Sequence, residues 1–87
     1  MITINYAPRF SREFFKLNRA VQKDALDAII LFRDYKNHES LSVHKLHGRL
    51  KNRYSFSVNY EYRIVCRFVS KREVDLLAIG DHDIYKK

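Results

Sequence analysis

Ile2, Ile4 and Tyr6 alternate with Thr3 and Asn5, the period of a short half-buried strand. Pro8 stops it. A proline has no amide hydrogen to lose in the first turn of a helix, and Phe10, Phe14 and Leu17 follow at spacings of four and three, which predicts a helix over about 8–17. After Asn18 a second helix is predicted over about 19–35: Val21, Ala25, Ala28, Ile29 and Phe32 form one stripe, with Lys23, Asp24, Asp27 and Asp34 largely away from it. From residue 54 the period changes to two. Tyr54, Phe56, Val58 and Tyr60 alternate with Ser55, Ser57 and Asn59, the pattern of an antiparallel strand with one polar face. A second strand is predicted over 62–69, with Tyr62, Ile64, Cys66 and Phe68 on one face and Arg63, Val65, Arg67 and Val69 on the other. Ser70-Lys71-Arg72 turns into a last strand at about 73–79, which Gly80 ends.

The order is therefore β-α-α-β-β-β. Amphipathic helices and a mostly antiparallel four-stranded sheet bury their apolar faces only against each other, so the expected fold is an α+β two-layer sandwich, a helical hairpin on one face and the opposite face partly open. No internal repeat and no Gly/Ser/Pro-rich linker divides the 87 residues, so residues 1–87 are expected to form one domain.

Charge changes the picture. Lys and Arg number 17 against 10 Asp and Glu, a formal +7 that attracts polyanions or an acidic protein. Residues 1–40 hold seven basic and five acidic side chains, whereas 41–60 hold four basic ones and no acid. The single cysteine, Cys66, excludes an internal disulfide and a cysteine-based zinc site, and its place between Ile64 and Phe68 makes it inert core. No run of about 18 apolar residues spans a membrane, and Met1-Ile-Thr-Ile-Asn-Tyr lacks the features of a signal peptide, so a cytoplasmic location and no membrane partner are expected.

Val43 to Arg53 packs Lys45, Arg49, Lys51, Arg53, His44 and His47 into eleven positions. Such a run is either a solvated basic surface or a grip on phosphates. Leu46 and Leu50 favour anchoring, with the basic residues splayed outward. Arg63 and Arg67 share a strand face, where an arginine either binds an anion through its planar fork or pairs across strands. For Arg67 the expectation is a pair with Asp75 or Glu73, while Arg63 stays balanced between the two. His38, in a polar stretch, is expected to be an exposed loop residue. His82 directly follows a strand, a place suited to moving protons near neutral pH. A metal on His82 with Asp81 and Asp83 is disfavoured because three consecutive residues seldom converge on one ion. Tyr85 either stacks on a base or closes the sheet edge.

Four segments, His44-Lys-Leu-His-Gly-Arg-Leu, Tyr54-Ser-Phe-Ser-Val-Asn-Tyr, Tyr62-Arg-Ile-Val and Ile79-Gly-Asp-His-Asp-Ile-Tyr85, together resemble the RelE/ParE superfamily of type II toxin–antitoxin toxins, most nearly its RelE/YafQ-like mRNA interferase branch. The resemblance covers essentially the whole chain. It implies a metal-independent endoribonuclease without cofactors that cuts mRNA, often on the ribosome, and is held inactive by a cognate antitoxin. In that chemistry the ribose 2′-OH attacks the adjacent phosphate, which requires a proton acceptor, a proton donor for the departing 5′-oxygen and cations for the phosphorane. By resemblance Arg63 stabilises the phosphate and His82 is the general acid. His44 is a candidate base or phosphate ligand, and Tyr85 orients the scissile nucleotide. Lys45, Arg49, Lys51 and Arg53 grip RNA backbone. The chain departs from the YafQ-like pattern at Glu61-Tyr62, where an Asp-Trp pair stands in that branch, and at Ala78, where an arginine stands. The alternatives are a ParE-like inhibitor of DNA gyrase, which needs neither His82 nor Arg63, and a basic RNA-binding module without activity.

Overall fold

The chain runs β1 (Thr3–Tyr6), α1 (Pro8–Phe15), α2 (Arg19–Phe32), a 3-10 turn (Tyr35–Asn37), β2 (His44–Lys45), β3 (Tyr54–Ser57), β4 (Arg63–Ser70) and β5 (Glu73–Gly80) in a computed structural model that describes residues 1–48, 52–81 and 84. The expected α+β architecture is present, with a fifth, two-residue strand added by the basic segment. Sheet order is β1-β5-β4-β3-β2; β1 runs parallel to β5 and the other pairs are antiparallel.

Element ends follow local hydrogen bonding. Asn18 caps α2 by accepting from the Val21 N–H (2.9 Å). Helix α2 stops at Phe32, short of the expected residue 35, because Asp34 takes an extended backbone and its carboxylate accepts from the Lys36 N–H, starting a new turn. Helix α1 stops at Phe15, its end tightened by the Lys16 and Leu17 N–H groups on the Glu13 and Phe14 carbonyls. Strand β3 ends at Ser57 instead of running to Tyr60, since the Asn59 side-chain oxygen accepts from the Glu61 and Tyr62 N–H groups and folds the hairpin loop; Tyr60 at its tip is 99% exposed.

Alternation divides the sheet faces as the sequence predicts. Ile64, Cys66, Phe56, Val74 and Leu76 point at the helices and meet Ala25, Ala28, Ile29 and Phe32 of α2. Phe32 is fully buried in a parallel stack, with ring centroids 4.2 Å from Phe56 and 4.5 Å from His38. His38 is therefore not an exposed loop residue: it is half-buried, and its Nε2–H donates to the Phe32 carbonyl (2.7 Å) at the end of α2. Burial pushes the Cys66 thiol up to about 12, consistent with an inert core group.

The β4/β5 register skips a residue at Leu77, between the Cys66/Leu76 and Val65/Ala78 pairs, which turns Ala78 to the face away from the helices. There Val65 and Ala78 are covered by Leu46 and Ile84, so that face is partly closed by its own small apolar cluster. Leu46 does anchor the basic segment as expected, on this far face and not on the main core; Leu50 lies outside the described residues. Beyond the β1 pairing, the Ile79 N–H is taken up by Glu13 of α1 (3.0 Å). Among the described residues no helix is long and apolar enough to cross a membrane.

Candidate functional site

On the sheet face away from the helices, beside the Val65/Ala78 cluster, β2, β3 and β4 bring a set of polar side chains together. His44 lies opposite Ser55, and Ser57 opposite Arg63, in the ladder registers. The Arg63 guanidinium donates through Nε to Ser55 Oγ (3.1 Å), through Nη1 to Ser57 Oγ (2.7 Å) and through Nη2 to the Ser42 carbonyl (3.1 Å). Among the described residues it forms no ion pair.

Arg67, four residues along the same strand, is different. Its Nη2 donates to Asp75 Oδ2 at 2.6 Å, the cross-strand pair expected from the sequence. The Arg67 hydrogen bond, with that of Asn5 beside it, holds the Asp75 carboxyl below the usual carboxylate range. One arginine is thus neutralised, while the other is oriented by uncharged acceptors and keeps its charge available to an anion.

His44 Nδ1 lies 3.0 Å from the Ser42 carbonyl and 3.4 Å from Arg63 Nη2. A carbonyl only accepts, so the shorter contact assigns the proton to Nδ1, and the longer one is an approach of two donors. In the neutral ring this tautomer leaves the lone pair on Nε2, a proton acceptor on the exposed side chain next to the guanidinium.

Of the residues singled out in the sequence, the fold joins Arg63 and His44 directly. Arg53, half-buried just before β3, falls in step with Ser55 on the same face, its carbonyl accepting from the Leu46 N–H (2.8 Å). Lys45 is exposed, but its register with Tyr54 sends it from the sheet edge toward the helix side, away from His44. Arg49, Lys51, His82 and Tyr85 lie outside the described residues. Gly80, the residue before Asp81, is the cross-strand partner of Arg63, and Ile84 turns back onto the same face, its N–H bonded to the Asp81 carbonyl (3.0 Å).

Sequence reasoning missed Ser42, Ser55 and Ser57. The two strand serines carried a usable signal, since pairing the 54–57 and 63–70 alternations across a tight turn puts serine opposite Arg63. Ser42 carried none, because its left-handed backbone (φ 53°) is unusual for serine. Away from this site, a hollow of about 270 Å³ lined by Tyr6, Phe10, Phe14, Phe15, Leu26 and Ile29 lies along the helices and β1. It is mostly apolar, with the Ser11 hydroxyl and the Tyr6 phenol as its polar side chains, and its lining holds no cation for a phosphate.

No protein-family profile matches the chain, and no curated protein matches it in sequence. Solved structures do match in fold. YafQ from Escherichia coli superposes with a TM-score of 0.72 at 11% identity, covering 100% of both chains. The YoeB-YefM toxin-antitoxin complex from Staphylococcus aureus matches with a TM-score of 0.71 at 20% identity, over 94% of this chain and 98% of that one. A copper-bound mutant toxin from Helicobacter pylori matches with a TM-score of 0.68 at 21% identity, over 97% and 98%. The agreement extends over nearly the full length of each chain, and the protein has the fold of the RelE/YoeB/YafQ toxins.

Proposed function

We propose that the chain is the toxin of a type II toxin–antitoxin pair and acts as a metal-independent endoribonuclease on mRNA, working at the ribosome. The observation that carries this reading is the Arg63 site: a guanidinium held by three uncharged acceptors, without a carboxylate partner among the described residues, beside an imidazole with its lone pair on Nε2. Such a site suits an anionic oxygen next to a group that gives up a proton. In the proposed reaction the 2′-oxygen bonds to phosphorus as its proton passes to His44 Nε2, and Arg63 balances the charge on the phosphorane. The bond to the 5′-oxygen then breaks, with His82 returning a proton to it and Tyr85 orienting the nucleotide. The products are a 2′,3′-cyclic phosphate and a free 5′-OH. Lys45, Arg49, Lys51 and Arg53 hold the RNA backbone, Arg53 from the face of the site and Lys45 from the opposite side of the sheet edge. A cognate antitoxin restrains the protein, as the YoeB-YefM complex illustrates for its own toxin, and the apolar hollow along α1, α2 and β1 offers such a partner a surface apart from the site.

The test is to induce the chain in cells, map new 5′ ends across transcripts and measure DNA supercoiling in the same samples, with Arg63→Ala alongside. New ends in frame with codons, absent from Arg63→Ala, are expected. Relaxed or broken DNA without new RNA ends overturns the reading in favour of a gyrase inhibitor, and neither change leaves only a binding role.

A further inference from the structure

We propose that Ser57, together with the backbone carbonyl of Ser42, is a positioning element that fixes the Arg63 guanidinium for its anion; this deepens the function proposed above and rests on it. An arginine at the end of a strand, beside a hairpin loop, has long, freely rotating bonds and presents its fork in many directions. Here three of its five N–H hydrogens are committed, one each on Nε, Nη1 and Nη2. Nη2 also lies 3.4 Å from His44 Nδ1, and among the described residues Nη1 keeps one hydrogen for an oxygen of a phosphate.

Three separate observations support a built device. The Ser57 bond is the shortest of the set at 2.7 Å, and the register pairs Ser57 directly with Arg63. Ser42 adopts φ 53°, a conformation that costs a non-glycine residue energy, and it directs one carbonyl at both Arg63 Nη2 and His44 Nδ1. The two parts are also joined: the Ser57 N–H donates to the Leu41 carbonyl (2.8 Å), which ties the strained loop to the strand serine. Among the described residues the serine hydroxyl hydrogen-bonds only to the guanidinium, so its effect passes through the orientation of Arg63.

Ser57→Thr and Ser57→Val separate this role from packing, since the two side chains match in shape and only threonine keeps the acceptor; both suit a strand. The measurements are steady-state cleavage of a short mRNA bound to ribosomes and the ¹H–¹⁵N resonance of Arg63 Nε in the free protein. The expected result for Ser57→Val is about a tenfold loss of kcat with KM within about twofold, and an Arg63 Nε–H signal broadened by exchange. Ser57→Thr should hold kcat within about twofold of the parent and keep the signal sharp. An active parent with equal kcat in both variants overturns the proposal, as does an Arg63 resonance equally sharp in both. If the parent does not cleave RNA, the proposed function fails, and the resonance alone decides whether Ser57 orients the arginine.

Discussion

Replacing Arg63 with lysine keeps the charge and removes the fork. In the parent the guanidinium reaches Ser55, Ser57 and the Ser42 carbonyl at 2.7–3.1 Å. Ser55 and Ser57 are two residues apart on β3, hence about 7 Å along the strand. One ammonium bonding at about 3 Å cannot serve both hydroxyls, so at least one charge-assisted hydrogen bond is lost, worth about 1.5–3 kcal/mol. If that orientation is expressed in the transition state, cleavage falls by about 10- to 100-fold, at about 1.4 kcal/mol for each factor of ten. The same loss should lower unfolding stability by about 1–2 kcal/mol. Arg67→Lys is the control: it keeps a partly exposed pair with a single carboxylate, which lysine can also make, so cleavage should stay within about threefold of the parent. The assay is single-turnover cleavage of one short mRNA bound to ribosomes with enzyme in excess, run beside urea unfolding of each variant. Arg63→Lys cleaving within threefold of the parent, or Arg67→Lys losing as much as Arg63→Lys, would refute the argument that the uncharged cradle gives Arg63 its role.

Two further outcomes test the packing and the electrostatics. The Asp75 carboxyl is held low in the folded state, so its contribution to stability is present above the unfolded pKa of about 3.9 and is lost as pH falls through the folded value. Asp75→Asn should therefore show a shallower fall in urea midpoint than the parent below about pH 4, and identical acid limbs would show that the pair adds no pH dependence. Phe32→Ala removes a fully buried ring from between Phe56 and His38 and should cost about 3–5 kcal/mol, a large share of the roughly 4–13 kcal/mol typical for a chain of this size. A cooperative transition within about 1 kcal/mol of the parent would remove that stack from its place as the centre of the core.

Long alternations and helical stripes carried the fold. Arg63 to Ser70 alternates over eight residues, and the 25, 28, 29, 32 stripe names the buried face of α2, so both were legible before any coordinates. His44–Lys45 was not, because two residues hold no period and only the ladder to Tyr54 and Ser55 makes them a strand. Residues 33–35 and 58–60 extended their neighbours' patterns, but side-chain oxygens of Asp34 and Asn59 took over the backbone N–H groups and ended the elements early. His38 looked exposed because its polar neighbours hide a ring contact made through the fold. At the site, the Arg67 pair with Asp75 was readable from strand order. The serine cradle needed cross-strand register, and Ser42 needed a backbone angle that composition does not encode.

The parallel contact between β1 and β5 bears on timing. Thr3 sits against Glu73, seventy positions later, so among the described residues β1 has no sheet neighbour until β5 exists. The same late strand supplies Val74, Leu76 and Ile79 to the interior and Gly80 as the neighbour of Arg63. A nascent chain that has not reached residue 73 therefore holds every residue of the arginine cradle but lacks the strand that closes the interior and pairs with β4 beside it. The sheet beneath the site is complete only once β5 has been made.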